Sequence, residues 1–451
     1  MSASAKYQGW IHSAFFSGLQ KLSVPISGLL ITMILAHKAL TKQEMGVWAL
    51  FMSITAIIEL IRQGLVKTSL IRFINHSKEE DHTYVLSAAL FLNMLITVFT
   101  AVLMFVFTPF LASWLVAPQL KQMLYLLQIG MLIMIPFSHF EWLMYGKLQF
   151  KGLFWTYLFR QGFTLLFVLA VYLFNTKVSL NELVIIYNAC LLIGTIVAYK
   201  YIKPFVTGSF IISKIWVLKM LHFGKYVFGS NLSTLVFRSA DQIMLSPLLG
   251  TTIYNASQNV AMRFVNLSDL PSQTLGDILF PKSASKENSN NPGMLKYYYE
   301  KTVGASLCFV MPLVVVVLLL PKLIILVLAG PQYYDAVPYL QLISFTCIFL
   351  AFLKQYGVII DSTGKPYLNL ITITVIAIVH VVLLYLFIKQ FGFIGAGYAL
   401  LCSHTIGFII TQLLLKRLYN INFLNCFKYA FAFYPEFAKI ILQKISWKPH
   451  S

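Results

Sequence analysis

The 451-residue chain is 59% hydrophobic and only 11% charged, with a mean hydropathy of +0.77, which leaves too little polar surface to coat a soluble globule of this length. Its formal net charge of +19 has no aromatic-basic module beside it, so a nucleic-acid partner is excluded and the excess Lys and Arg are assigned to the loops of a membrane protein. No phosphate-binding loop, zinc, nucleophile-elbow or dinucleotide signature occurs, so nothing in the sequence points to a built-in ATPase, a metal, a cofactor or an enzyme.

Twelve apolar segments of spanning length follow one another, at about 11–35, 46–66, 84–108, 121–143, 153–174, 181–203, 220–247, 253–276, 302–329, 337–360, 367–389 and 393–416. None alternates with the two-residue period of a barrel strand, so helices are predicted to satisfy the backbone in lipid and the fold class is all-α. The first span carries Ser13, Ser17, Gln20, Lys21 and Ser27 along one stripe and has no cleavable leader pattern, so it reads as a retained span. The second carries Thr55, Glu59 and Arg62, whereas the third has no internal charge. Arg160 in the fifth span, like Lys354 and Asp361 at the tenth, lies near a cytoplasmic end and is read as snorkelling.

In the seventh span Asn231, Thr234, Arg238 and Asp241 follow a 3, 4, 3 spacing, and in the eighth Asn255, Asn259, Arg263 and Asn266 follow 4, 4, 3. Each set therefore occupies a single helical face. The ninth span is again without internal charge. His139, His380 and His404 are lone histidines in apolar surroundings, read as core groups, and the five cysteines, which have no paired or metal-type spacing, are read as small core hydrophobes. Beyond the twelfth span, residues 418–451 form a basic-aromatic tail. It has about a dozen nearly uncharged residues before Pro435, too few to cross a bilayer, so a cytoplasmic or interfacial segment is expected.

About 20 of the 34 Lys and Arg fall on the termini and every second loop, against about 6 on the opposite side, which places both termini in the cytoplasm. The chain also repeats itself. Pro118-Gln119 and Leu127-Gln128 recur at one fixed offset as Pro331-Gln332 and Leu340-Gln341, and GKLQFKG at 146–152 occupies the place of DSTGKPY at 361–367. A looser pairing sets Trp48 opposite Tyr254. Six spans per half is an even number, so the repeat is parallel. The predicted organisation is a six-helix bundle over 1–210, a second over 211–417, and the tail at 418–451.

Charged groups inside spans are costly and face protein or water instead of lipid. Spans one and two of each half carry them, so the simplest geometry sets those four helices around a water-accessible cavity. Lys21, Arg62, Arg238 and Arg263 would line it with Asn231, Asn255 and Asn259, and Glu59 and Asp241 would serve as counter-charges or ion-coupling groups. An excess of base favours an anion. The i,i+3 pairs Glu59 with Arg62 and Arg238 with Asp241 have a second reading, in which each pair simply neutralises itself within the bundle.

The stretches DQIMLSPLLGTTIYNASQNVAMRF at 241–264 and LPSQTLGDILFPKSA at 270–284 resemble the Wzx-like polysaccharide flippases of the multidrug, oligosaccharidyl-lipid and polysaccharide exporter superfamily. TKQEMGVWAL at 41–50, AGPQYYDAVPYLQLIS at 329–344 and the STGKP turn at 362–366 extend the likeness to about Arg417. The chain departs from the family pattern at Thr252, where Gly is usual, and at Lys282. The resemblance implies two six-helix bundles in a V, alternating access, and transfer of an undecaprenyl-diphosphate-linked oligosaccharide from the cytoplasmic to the periplasmic leaflet of a bacterial inner membrane. It also implies that the cationic cavity receives the diphosphate-sugar head. The expected partners are that lipid-linked oligosaccharide, membrane lipid, Na+ or H+ as coupling ion, and glycan-assembly proteins. Two rival readings are a cation-coupled drug antiporter of the same superfamily, which wants an acidic cavity, and a polytopic glycan polymerase or ligase, which wants a sizeable outer loop.

Overall fold

The computed structural model describes residues 3–206, 210–284 and 291–446, with side chains described at all of these except 3–15, 17, 21, 225–227, 230, 278, 281, 282, 284 and 436–446. Every regular element among the described residues is a helix. α1 (Ala3–Ile34) ends in a π turn at Leu35–Ala39. α2 (Lys42–Arg62) starts at a capping box in which the Thr41 hydroxyl accepts from the Glu44 amide and the Glu44 carboxylate accepts from the Thr41 amide, so orphan donors are satisfied reciprocally. A second π turn, Gln63–Lys67, joins it to α3 (Thr68–His76).

Four long helices follow: α4 (His82–Trp114), α5 (Leu120–Gly146), α6 (Phe150–Leu173) and α7 (Leu180–Ile202). α8 (Lys214–Leu249) is a single helix of 36 residues. The chain then breaks at Asp269 between α9 (Ile253–Ser268) and α10 (Leu270–Ala284). The remainder comprises α11 (Pro292–Leu319), α12 (Pro321–Ala329), α13 (Ala336–Ser344), α14 (Thr346–Ser362), α15 (Pro366–Phe391), α16 (Phe393–Tyr419) and α17 (Phe423–Ser446).

Nine helices among the described residues are long and apolar enough to cross a membrane, and α13 with α14, bent by 43°, makes a tenth. The chain is a multi-pass membrane protein. The predicted seventh and eighth spans are not in that set: α8 carries a polar stripe that lowers its hydropathy, and α9 is 16 residues long and ends at the Asp269 break. They are the helices on which most of the predicted site residues sit.

By internal packing the chain divides into two units. The first comprises 1–235, 242–259 and 327–332, and the second comprises 236–241, 260–326 and 333–451. In the first, Trp142, Leu143 and Met144 of α5 pack with Leu70 and Ile74 of α3 and Leu153, Ala198 and Met220. In the second, Tyr299, Phe352, Tyr356 and Leu415 form a core that also takes in Cys426 and Ala430 of the tail helix α17. Because lipid tails are as apolar as Leu, such helices associate through close packing at small residues. Gly304 supplies one instance, since a Cβ there would lie 2.6 Å from the Cβ of Tyr429 and 2.9 Å from the carbonyl oxygen of Cys426. The Tyr434 hydroxyl completes the seam by donating to the Cys308 carbonyl at 2.9 Å.

The starts of α2 and α9 meet within the first unit. Gly46, at the start of α2, lies so close to Thr252, at the start of α9, that a Cβ would fall 1.9 Å from the Thr252 carbonyl oxygen. The Thr252 hydroxyl donates to the Gln43 carbonyl at 3.1 Å. These are the segments that the looser pairing of Trp48 with Tyr254 sets opposite one another.

Candidate functional site

The polar stripe of α8 begins at Asn231, half-buried, with its Nδ2 beside Gly64. Arg238 is exposed, and Asp241, one turn later, is buried. The i,i+3 pair they were able to form does not exist, because Asp241 faces His380 of α15 with Oδ1 3.4 Å from Nε2. On α9 the stripe opens outward as it descends. Asn255 is fully buried, with Nδ2 donating to the Gln242 carbonyl at 2.6 Å and Oδ1 accepting from the Ser246 hydroxyl at 2.6 Å. Asn259 and Arg263 are half-buried and Asn266 is exposed, and beyond the Asp269 break Gln273, Thr274 and Asp277 of α10 are exposed as well. The Arg263 Nε has no hydrogen-bond partner among the described residues.

Within the first unit the polar groups of α2 turn inward. Arg62 is 1% exposed and its Nη2 donates to Asn93 Oδ1 at 2.8 Å, the Met134 carbonyl at 2.9 Å and Ser138 Oγ at 3.2 Å. Asn93 in turn donates to the Ile135 carbonyl at 2.9 Å. Those carbonyls lie just before Pro136, which removes one amide from the ladder of α5. Glu59 likewise makes no direct hydrogen bond to Arg62, and its Oε1 accepts from Gln63 Nε2 at 3.2 Å. Arg62 is the last residue of α2 and the π turn starts immediately after it, so the guanidinium sits where the ladder changes register, a feature frequent at functional sites.

Two further clusters escaped sequence reasoning. Glu141 of α5 is 1% exposed, accepts from the Tyr157 hydroxyl at 2.9 Å and lies 3.7 Å from Lys67 Nζ, which also stacks on the Tyr145 ring at 4.3 Å. Gln20 of α1 donates to the Tyr145 hydroxyl at 3.1 Å, so the amino-terminal stripe reaches this cluster. Arg160, expected to snorkel, instead donates to the Tyr187 hydroxyl at 2.9 Å and lies over the Phe137 ring. Inward turning is cheaper for an arginine that finds an aromatic face and a hydroxyl than an unpaired position in lipid.

In the second unit Lys354, also expected to snorkel, forms an ion pair with Asp269 at the α9–α10 break, and Gln273 donates to the same carboxylate at 3.0 Å. His380, read as a plain core group, is fully buried between Asp241 and Ser403, whose Oγ lies 3.1 Å from its Nδ1. Phe237 packs on it at 4.6 Å between centroids and on His404 at 5.3 Å. Of the predicted residues, Lys21 has its side chain outside the described residues. Thus Arg238 stands exposed, Arg62, Asn255 and Asp241 are buried among named partners, and Glu59, Asn231, Asn259 and Arg263 are half-buried.

Residues 34–338 match the family described as polysaccharide biosynthesis protein. The uncharacterized membrane protein MJ1068 of Methanocaldococcus jannaschii is 28% identical over 267 residues, covering 58% of this chain and 52% of its own length. The chain thus matches about half the length of that curated relative. Among solved structures, a multidrug resistance MATE family transporter of the MOP superfamily in its inward-facing conformation gives a TM-score of 0.74 at 15% identity, covering 88% of this chain and 98% of that one. The lipid II flippase MurJ, in an inward closed conformation, gives 0.74 at 14% identity over 92% and 90% of the two chains. A MOP superfamily transporter from Pyrococcus furiosus, described as having a binding pocket of reverse polarity, gives 0.60 at 15% identity over 89% and 94%. At these identities the likeness establishes a shared fold.

Proposed function

The chain belongs to the polysaccharide biosynthesis protein family, and from that membership we propose that it is a flippase for a lipid-linked oligosaccharide, moving an undecaprenyl-diphosphate-linked sugar unit from the cytoplasmic to the periplasmic leaflet by alternating access. It resides in a bacterial inner membrane with both termini in the cytoplasm. The observation that carries this reading is an exposed Arg238 together with a half-buried Arg263, whose Nε has no hydrogen-bond partner among the described residues, on helices of a multi-pass membrane protein. A guanidinium in mid-membrane costs about 2.5–3.5 kcal/mol against lipid on insertion scales, so an accessible one belongs in a water-filled space. There it attracts an anion, and a diphosphate offers oxygens in the bidentate geometry that Arg prefers.

Arg238, Arg263 and Lys21 are the proposed receptors of the diphosphate, and Asn231 and Asn259 are proposed to hydrogen-bond the sugars. Arg62 and Asn255, buried in this conformation, act in the same site by holding the helices that present those groups. Asp241, set against His380, and Glu59 are the proposed ion-coupling carboxylates, with Na+ or H+ as the ion. No step is catalytic. The fold shared with a MATE transporter and with a lipid II flippase supports transport, and the basic character of the accessible groups favours an anionic cargo over an organic cation.

The test is glycan export in cells carrying Arg263→Glu or Lys21→Glu. Loss of surface glycan with the protein inserted at normal level is expected. Normal surface glycan at normal protein level in both variants overturns the assignment.

A further inference from the structure

The amino-terminal part of α8 is longer than a span requires. Its 36 residues reach about 54 Å at 1.5 Å per residue, whereas the hydrocarbon core of a bilayer is about 30 Å thick. The first turns therefore lie at a membrane surface. These turns and the residues that lead into them carry apolar side chains, with Phe210, Ile211 and Ile212 before the helix and Ile215 and Leu218 within it each exposed by 48% or more, interleaved with exposed Lys214 and Lys219. That pattern belongs to a segment lying in the headgroup zone.

This segment is pinned against α3 within the first unit. Ser69 Oγ donates to the Met220 carbonyl at 3.1 Å, and the Ile211 amide donates to Ser87 Oγ of α4 at 3.0 Å. Phe73 contacts the Trp216 ring at 5.7 Å and the Phe223 ring at 6.1 Å. Between α3 and α8 runs an open groove of about 1020 Å³ whose apolar walls include Leu65, Phe73, Ile215 and Leu218 and whose basic groups are Arg72, Lys219 and His222. Arg72 rests over the Phe223 ring at 4.4 Å and Lys219 over the Trp216 ring at 4.4 Å. Neither cation is paired with a carboxylate among the described residues, whose ion pairs lie elsewhere. Just beyond α3 the exposed charges Lys78, Glu79 and Glu80 mark the water side.

We infer that this groove binds one anionic phospholipid of the leaflet at the basic end of the first unit. Its phosphate would be held between Arg72 and Lys219, and an acyl chain would lie along the apolar wall. Aromatic faces hold both cations at the groove while leaving their N–H donors directed to a ligand, and the apolar wall gives the chain a surface that free phosphate cannot use. The inference depends on the chain's being a membrane protein and not on the flippase reading.

Native mass spectrometry of the full-length protein, released from detergent after incubation with phosphatidylglycerol or phosphatidylcholine, tests it. One phosphatidylglycerol is expected to remain bound while phosphatidylcholine is stripped, and inorganic phosphate at millimolar concentration is not expected to displace it. Arg72→Gln with Lys219→Gln, both surface changes, is expected to weaken retention about 30-fold, from about a fivefold loss per cation. A thermal-shift assay of the same variant without lipid checks that it is folded. Equal retention of the two lipids, undiminished retention by a folded double variant, displacement by phosphate alone, or a lipid-free dimer with the groove covered by a second copy would each overturn the inference. Failure of lipid-linked oligosaccharide transport would leave these results unaffected and would count only against the flippase.

Discussion

Glu59 and Arg62 lie three residues apart on one helix, as do Arg238 and Asp241, and in neither case do the two form a direct hydrogen bond. An arginine with seven side-chain heavy atoms reaches past its helical neighbour when a better cage stands opposite, and Arg62 finds one in Asn93, Ser138 and the Met134 carbonyl. Spacing alone gave the face of α2 but not this partner, because Asn93 belongs to a span read only as free of charge. Hydrogen bonds to charged groups are worth about 1.5–3 kcal/mol when buried. Asn93→Ala should therefore lower the stability of the detergent-solubilised protein by about 2 kcal/mol, seen as a reduced Tm, whereas Arg238→Gln at the exposed position should leave Tm unchanged. Asp241→Asn bears on coupling. Accumulation of lipid-linked oligosaccharide driven by an ion gradient should be lost while gradient-free exchange persists, and an unaltered gradient response would remove Asp241 from the ion-coupling role.

At the scale of helices, the apolar spans were legible because their length and composition are dictated by lipid, and the stripes on α8 and α9 were legible because 3, 4, 3 and 4, 4, 3 spacings fix a face. The depth of that face was not. Asn255 and Asn266 share the α9 stripe, yet the first is sealed and the second exposed, since the neighbours that cover Asn255 are Gln242 and Ser246 of the preceding helix. Asp269 and Lys354, and Asp241 and His380, are far apart in sequence, so no local pattern announced either pair. Cysteines placed at Arg238 and Arg263, in a background lacking Cys402, should react with a membrane-impermeant thiol reagent, while one at lipid-facing Val106, 63% exposed, should not. Protection at both arginine positions would argue against a hydrated space. The tail helix offers a separate test: Gly304→Val, which drives a side chain into Tyr429 and the Cys426 carbonyl, should cost about 1–3 kcal/mol by overpacking. It should also make the tail a faster target for protease.

For the molecule as a whole, the apolar composition anticipated a multi-pass membrane protein, and the duplicated Pro-Gln pairs are read as the mark of two related halves. Gly46 at the start of α2 and Thr252 at the start of α9 pack closely within the first unit. Which helices bend, and where π turns follow Arg62 and α1, lay beyond the sequence because a one-residue change of register leaves no compositional trace. The proposed function unites the residues, the stripes and the family as transfer of an anionic lipid headgroup past Arg238 and Arg263. The most direct measurement is flipping of a fluorescent undecaprenyl-diphosphate oligosaccharide in proteoliposomes containing the purified chain, read as quenching of label newly exposed on the outer leaflet. The wild-type protein should flip it and the Arg238→Glu, Arg263→Glu double variant should not, by a factor of at least about 100 given two lost interactions of about 1.5–3 kcal/mol each. Equal rates for the two, or no flipping by an ion-energised wild-type protein, would contradict it.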